Sequence, residues 1–206
     1  ADWTEQREAS LKKLVFPYEY REGQRELAAG VYRSILRKKR LFIQAPTGVG
    51  KTLSALFPAL KAVGEGLGDK IFYLTARTIT RMVAADTLDL LREQKMRVKS
   101  LVLTAKEKLC ICQEVQCDPD HCPRPKGHYD RINDAGYDLW TKGPDSCTRE
   151  VILTQAEKYQ VCPFELSLDL SLWMDVIICD YNYVFDLNVY LKRFFGEGVK
   201  GEYLFL

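Results

Sequence analysis

No apolar run in the sequence approaches the roughly 18 residues needed to span a bilayer, and residues 1–14 lack the pattern of a secretory leader. A cytoplasmic protein is expected. Internal repeats, low-complexity tracts and Pro/Gly/Ser linkers are missing too, so the 206 residues read as one α/β domain, or as one domain with an inserted module. Net charge is scarce: a formal +2 is too small to imply nucleic-acid binding, although a balanced surface can still hold a local basic stripe. Disorder is excluded by 47% hydrophobic and 28% charged residues, which is ordinary globular composition. Cysteine is not scarce. Six of the seven lie between Cys110 and Cys162. The odd count argues against a complete disulfide framework, and clustering in a reducing compartment favours metal ligation.

The chain alternates strand and helix patterns. Apolar positions Leu27, Val31 and Ile35 predict a helix from about Glu22 to Arg37, and Arg40–Ala45 predicts a strand that runs into a glycine-rich turn. Helical character follows at Leu53–Val63, a strand at Lys70–Thr75, a helix at Thr78–Gln94 and a strand at Arg97–Leu103. From Thr104 the strand runs stop while Cys, Pro, Asp and Gly rise. Strand patterns resume at Asp175–Cys179 and Glu202–Leu206, separated by an aromatic and helical stretch at Tyr181–Phe195. This alternation predicts a mostly parallel sheet covered on both faces.

Residues 45–52 read Ala-Pro-Thr-Gly-Val-Gly-Lys-Thr. A glycine-rich turn between strand and helix presents backbone N–H groups and a helix dipole to an anion. Gly48 and Gly50 allow the close approach, Lys51 reaches the terminal phosphates, and Thr52 places its hydroxyl on Mg²⁺. The loop begins with Ala45 where the strict pattern has Gly. Upstream, Gln24 can donate to and accept from one adenine edge while Tyr18 or Tyr20 stacks on the base. The plainer reading of Gln24 is a polar helix N-terminus. The nucleotide-binding set is Gln24, Thr47, Gly48, Gly50, Lys51 and Thr52, with Lys51 and Thr52 as the catalytic pair.

Tyr-Arg-x-x-Gln at 20–24, the phosphate loop and Tyr73-Leu74-Thr75-Ala76-Arg77-Thr78 together resemble superfamily 2 helicases, specifically the XPD/DinG iron–sulfur helicases. The cysteines add to the resemblance. It implies a RecA-like P-loop NTPase sheet in three stretches: residues 1–103, then a mainly helical and irregular four-cysteine iron–sulfur insertion at 104–165, then a return to the motor domain at 166–206. It implies that Thr75, Arg77 and Thr78 touch the DNA backbone; such contacts carry no sequence information. Read on spacing alone, Thr78 caps the following helix.

The resemblance also implies a [4Fe–4S] cluster with Cys110 as first ligand and Cys162, followed by Pro163, as last. Cys117 and Cys122 are the middle pair. Cys112 can replace Cys110 or Cys117, and Cys147 stands alone in a polar loop. Cys179 lies in a strand and reads as a small buried hydrophobe. Zinc accepts the same thiolates, or His121 in place of one; otherwise His121 and His128 read as surface residues. Arg124, Lys126, His128, Tyr129 and Arg131 form a candidate backbone-tracking and base-stacking strip, or a solvated helical face.

ATP hydrolysis needs an acid after a second apolar strand. Val176–Cys179 followed by Asp180 fits the form, but Tyr181 follows where Glu is wanted. Tyr203–Leu206 resembles the strand that delivers the Asp-Glu-Ala-His motif in the family, so the chain is expected to be an incomplete fragment, inactive alone, whose parent adds a second motor domain. The expected function is an ATP-dependent DNA helicase, 5′-to-3′ by resemblance, using ATP, Mg²⁺ and the cluster on single-stranded or forked DNA as a monomer. The alternative is a zinc-stabilised nucleic-acid-binding module. A nucleotide kinase is disfavoured by Gln24 and by Thr75–Thr78.

Overall fold

The computed structural model describes residues 2–46, 48, 50–186, 188, 191–196 and 200–206. Its elements run α1 (Trp3–Lys13), α2 (Gln24–Leu36), α3 (Lys51–Gly64), β1 (Lys70–Leu74), α4 (Thr78–Arg92), β2 (Ser100–Val102) and α5 (Lys106–Leu109). There follow α6 (His128–Lys142), β3 (Ser146–Cys147), α7 (Arg149–Tyr159), α8 (Pro163–Ser171), β4 (Val176–Cys179), α9 (Asn182–Phe185), α10 (Lys192–Phe195) and β5 (Tyr203–Phe205). The strands form one five-stranded sheet in the order β3-β2-β4-β1-β5, every pair parallel. The α/β class and parallel sheet expected from the alternation are therefore present.

β4 is central, buried at all four residues, because both its faces are covered and its sequence Val-Ile-Ile-Cys alternates between two cores. On one face, Ile71, Val176 and Ile178 pack with Leu53, Leu56 and Leu60 of α3, Leu88 and Leu91 of α4, and Leu11 of α1. On the other, Phe72, Leu101 and Ile177 pack with Leu139 of α6, Ile152 of α7, Leu170 of α8 and Phe194 of α10. Ile132, Ala135, Ala156 and Leu166 make a smaller core among α6, α7 and α8. Among the described residues no helix is long and apolar enough to cross a membrane.

Three local readings are corrected, and α1 adds a helix that apolar periodicity does not mark. Arg40–Ala45 is not a strand: no described strand lies beside it to supply a hydrogen-bond ladder, and Leu41, Phe42 and Ile43 are 43%, 93% and 46% exposed. The strand at Arg97–Leu103 shortens to β2, because Lys99 N–H turns to the carboxylate of Asp175 (2.8 Å). Residues 3–13, polar with little apolar periodicity, form α1, which polar anchors hold. Buried Asp175 accepts from Trp3 Nε1 (3.1 Å) and Arg7 Nη1 (2.8 Å). The Lys61 ammonium donates to the carbonyls of Leu11, Lys12 and Leu14 at the C-terminal end of α1. Finally, Cys147 is not in a polar loop but buried in edge strand β3 against β2.

Lys70 of β1 is a further buried charge. Its Nζ donates to Ser171 O (2.9 Å), Leu172 O (3.3 Å) and Met174 O, carbonyls at and just beyond the end of α8. Burial pushes its ammonium down from 10.5 to about 8, partly opposed by Asp175.

Candidate functional site

The glycine-rich turn opens α3 as its sequence requires. Gly48 (φ +87°) and Gly50 (φ +72°) take left-handed backbone that side chains rarely adopt. The first bond of α3 runs from Ser54 N–H to Gly50 O (3.1 Å). The amides of Lys51, Thr52 and Leu53 therefore have no intrahelical acceptor and face the loop, with the positive end of the helix dipole behind them. That arrangement fits a phosphate chain. Lys51 Nζ donates to Ala45 O within the loop (2.9 Å), from where a phosphate oxygen can take it over.

Gln24, first residue of α2, comes to the same place. It is buried, its Oε1 accepts from Arg21 N–H (2.8 Å), and its Nε2 stands 2.4 Å from where a Cβ at Gly50 would lie. Arg21 Nη1 in turn donates to Gly48 O (3.0 Å). The structure thus unites Gln24, Gly48, Gly50, Lys51 and Thr52; Thr47 lies outside the described residues. Tyr20 stacks on Phe16 (centroids 4.1 Å, 20°), leaving Tyr18 the more exposed ring.

Thr52 Oγ1 lies 3.3 Å from Tyr73 Oη on β1. Sequence reading quoted Tyr73 and Arg21 within motifs but gave neither a role, although Tyr73 shares a strand face with Thr75 at period two. Beyond β1, Thr75 is buried and its hydroxyl accepts from Arg77 N–H (3.3 Å). Arg77 and Thr78 are exposed at the start of α4. Arg77, not Thr78, occupies the N-cap, and Thr78 Oγ1 accepts from Arg81 Nη2 (3.0 Å). The capping role read from spacing is therefore not the one Thr78 plays.

Next to this, at the C-terminal ends of β2 and β4, a cleft of ≈ 720 Å³ is lined by Arg81, Lys106, Asp180, Asn182, Lys192 and Arg193, among others. Asp180 Oδ1 accepts from Asn182 N–H (2.9 Å), which opens α9. Arg193 pairs with Asp169 (2.5 Å).

All seven cysteines are free thiols. Cys110 ends α5, and Cys162 is the N-cap of α8 with Pro163 at its first turn. Five of the thiols fall into two groups, Cys110, Cys112 and Cys122 in one and Cys117 and Cys162 in the other. Desolvation, then Cys122 and Cys110 beside it, pushes the Cys112 thiol up. Lys106 hydrogen-bonds Cys117 and lies near Cys162, whose thiol burial raises. The donors fit a thiolate site in kind, but among the described residues no three Cys, His, Asp or Glu side chains converge on one metal position. His121 Nδ1 is engaged with Asp118 (2.7 Å). Two members of the basic strip are engaged within the protein: Arg124 is buried and paired with Glu157, and half-buried Arg131 donates to the carbonyls of Lys126, Tyr159 and Gln160. Tyr129 remains 87% exposed.

A sequence profile of DEAD/DEAH box helicases matches residues 25–120. The human regulator of telomere elongation helicase 1 is 24% identical over 222 residues, covering 83% of this chain and 18% of the relative. The chain thus spans about a fifth of that relative's length. Among solved structures, an XPD helicase superposes with a TM-score of 0.57 at 19% identity, over 90% of this chain and 31% of the other. A truncated XPD gives 0.55 at 20%, over 84% and 48%. The XPD/DinG-type resemblance read from the motifs is thus accompanied by a match of residues 25–120 to DEAD/DEAH box helicases and by a fold similar to that of XPD helicases.

Proposed function

We propose that this chain, a DEAD/DEAH box helicase segment with the XPD fold, forms the ATP-binding part of a DNA helicase that moves 5′-to-3′ on single-stranded DNA. The observation that carries the reading is the convergence of Gln24, Gly48, Gly50, Lys51 and Thr52 at the N-terminus of α3, one strand away from exposed Arg77 and Thr78. Gln24 reads the adenine edge, and the open amides at the start of α3 hold the phosphate oxygens. Lys51 leaves Ala45 O for the terminal phosphates, and the Thr52 hydroxyl serves Mg²⁺. Arg77 and Thr78 bind the DNA backbone, and the hydroxyl of Thr75 holds the turn that presents them. The basic cleft beside Asp180 continues that path.

Residues 104–165 are proposed as the cluster module, with Cys110, Cys117, Cys122 and Cys162 as the ligands of a [4Fe–4S] group. Such a group would supply a rigid thiolate-bound staple for residues 110–127, among which only Arg124 is buried.

Two measurements test the reading. A fluorescent ATP analogue is titrated into the chain and into Lys51→Ala, and ATP hydrolysis by the full-length parent protein is followed with and without single-stranded DNA. Binding at least tenfold weaker in the variant, with DNA-stimulated turnover, is expected. Equal binding in both proteins overturns the nucleotide site. Iron and zinc analysis of anaerobically purified protein tests the cluster: about four irons per chain, lost in Cys162→Ser, support it, whereas stoichiometric zinc replaces it.

A further inference from the structure

The Thr52 and Tyr73 hydroxyls face each other at 3.3 Å across the gap between α3 and β1. Tyr73 packs partly buried against the core on the α3 and α4 side of the sheet, so its ring is fixed and its Oη meets Thr52 at a set position. Thr52 lies in the first turn of α3, where its own hydroxyl can rotate about one bond.

We infer that Tyr73 is a positioning residue for the Mg²⁺-nucleotide complex: its phenol oxygen orients the Thr52 hydroxyl so that a lone pair is aimed into the phosphate loop. The inference rests on the proposed role of Thr52. A hydroxyl has one proton and two lone pairs. When Thr52 Oγ1 offers a lone pair to a cation, its proton must point away from that cation and needs an acceptor. Tyr73 Oη lies within reach of Thr52 Oγ1 and supplies one. With the acceptor in place the hydroxyl is pre-set, and no rotor has to be frozen when the nucleotide arrives. No bond is made or broken in this step; the proton stays on Thr52.

The position of Tyr73 adds a second consequence. It lies two residues before Thr75, whose hydroxyl shapes the turn to Arg77. One short buried strand thus touches Thr52 at one point and carries the proposed DNA-contact residues at its end.

Tyr73→Phe removes the oxygen and keeps the ring, so the core contacts survive; a cooperative urea transition displaced by no more than the worth of one neutral hydrogen bond confirms this. A fluorescent ATP analogue is titrated into wild type, Tyr73→Phe, Thr52→Ala and the double variant, each with Mg²⁺ and with EDTA. The expected result is a three- to tenfold loss of affinity in Tyr73→Phe with Mg²⁺, about the worth of one neutral hydrogen bond, and no loss in EDTA. In the Thr52→Ala background the second substitution is expected to change nothing. Equal affinity of Tyr73→Phe and wild type with Mg²⁺, or the same loss in EDTA, overturns the inference. If Thr52→Ala itself leaves the Mg²⁺ dependence intact while Lys51→Ala abolishes binding, the assignment of Thr52 fails and the inference with it, although the nucleotide site stands.

Discussion

Replacing Gly50 with alanine separates two demands that the phosphate loop places on one residue. The backbone there is left-handed (φ +72°), and a Cβ would stand 2.4 Å from Gln24 Nε2. Gly48 is also left-handed (φ +87°), but a Cβ there meets nothing within 4 Å. Holding alanine in the left-handed region costs about 1–2 kcal/mol, and both variants carry that strain. Only Gly50→Ala must also displace the Gln24 amide, which is buried and anchored by Arg21 N–H at 2.8 Å. Breaking that bond and leaving a buried group unpartnered adds about 1–3 kcal/mol. Gly48→Ala is therefore expected to lower stability by about 1–2 kcal/mol and Gly50→Ala by about 2–5 kcal/mol. Urea unfolding measures both. Removing the obstacle provides the control: in a Gln24→Ala background, Gly50→Ala should cost only the strain, and the two glycines should become equivalent. Equal losses for the two glycines in the wild-type background, or no relief on Gln24→Ala, would refute the packing of Gln24 against the loop.

Two further predictions concern the buried charges that support the sheet. Asp175→Ala leaves Arg7 partly buried without its carboxylate and Lys99 N–H without an acceptor, so a loss of about 3–5 kcal/mol is expected, with α1 the first segment cut by protease. A loss under about 1 kcal/mol would show that α1 is held by its apolar contacts instead. For Lys70, the folded ammonium lies at about 8 against 10.5 when unfolded, so between those values the unfolded chain binds more protons and stability rises with pH. The rise is of order 3 kcal/mol if the whole shift is expressed. Urea unfolding at pH 7.5 and 10 of wild type and Lys70→Met isolates it from other groups titrating in the same range. The difference between the two proteins should shift in the wild type's favour at the higher pH, and a pH-independent difference would refute the burial effect.

Most of the sheet was legible because its strands are fully covered. Val176–Cys179 is continuous apolar sequence with no polar alternation, which only a two-sided burial explains. The helices α3 and α4 were legible for the related reason that each has one apolar face against the sheet, and α2 because its apolar face packs on α3. Illegible elements depend on partners distant in the chain. α1 has little apolar patterning, and its anchors are Asp175 and Lys61, more than 40 residues away by count from the sequence. β3 is two residues long and exists through its pairing with β2. Arg40–Ala45 has strand composition, but a strand needs a neighbour, and composition cannot provide one.

The sequence alone determined the phosphate loop, since the conformational freedom of Gly48 and Gly50 and the chemistry of Lys51 and Thr52 are properties of those residues and their order. It also marked Arg77 and the clustered thiols. Tertiary structure alone decided which groups face them. It brought Gln24 against Gly50, set Tyr73 beside Thr52, turned Arg124 inward, tied Arg131 to backbone carbonyls, and buried Cys147 in the sheet. These are contacts between segments that only chain folding brings together. Local pattern encodes which face of an element is apolar, whereas the identity of its polar neighbours is fixed by packing across the sheet.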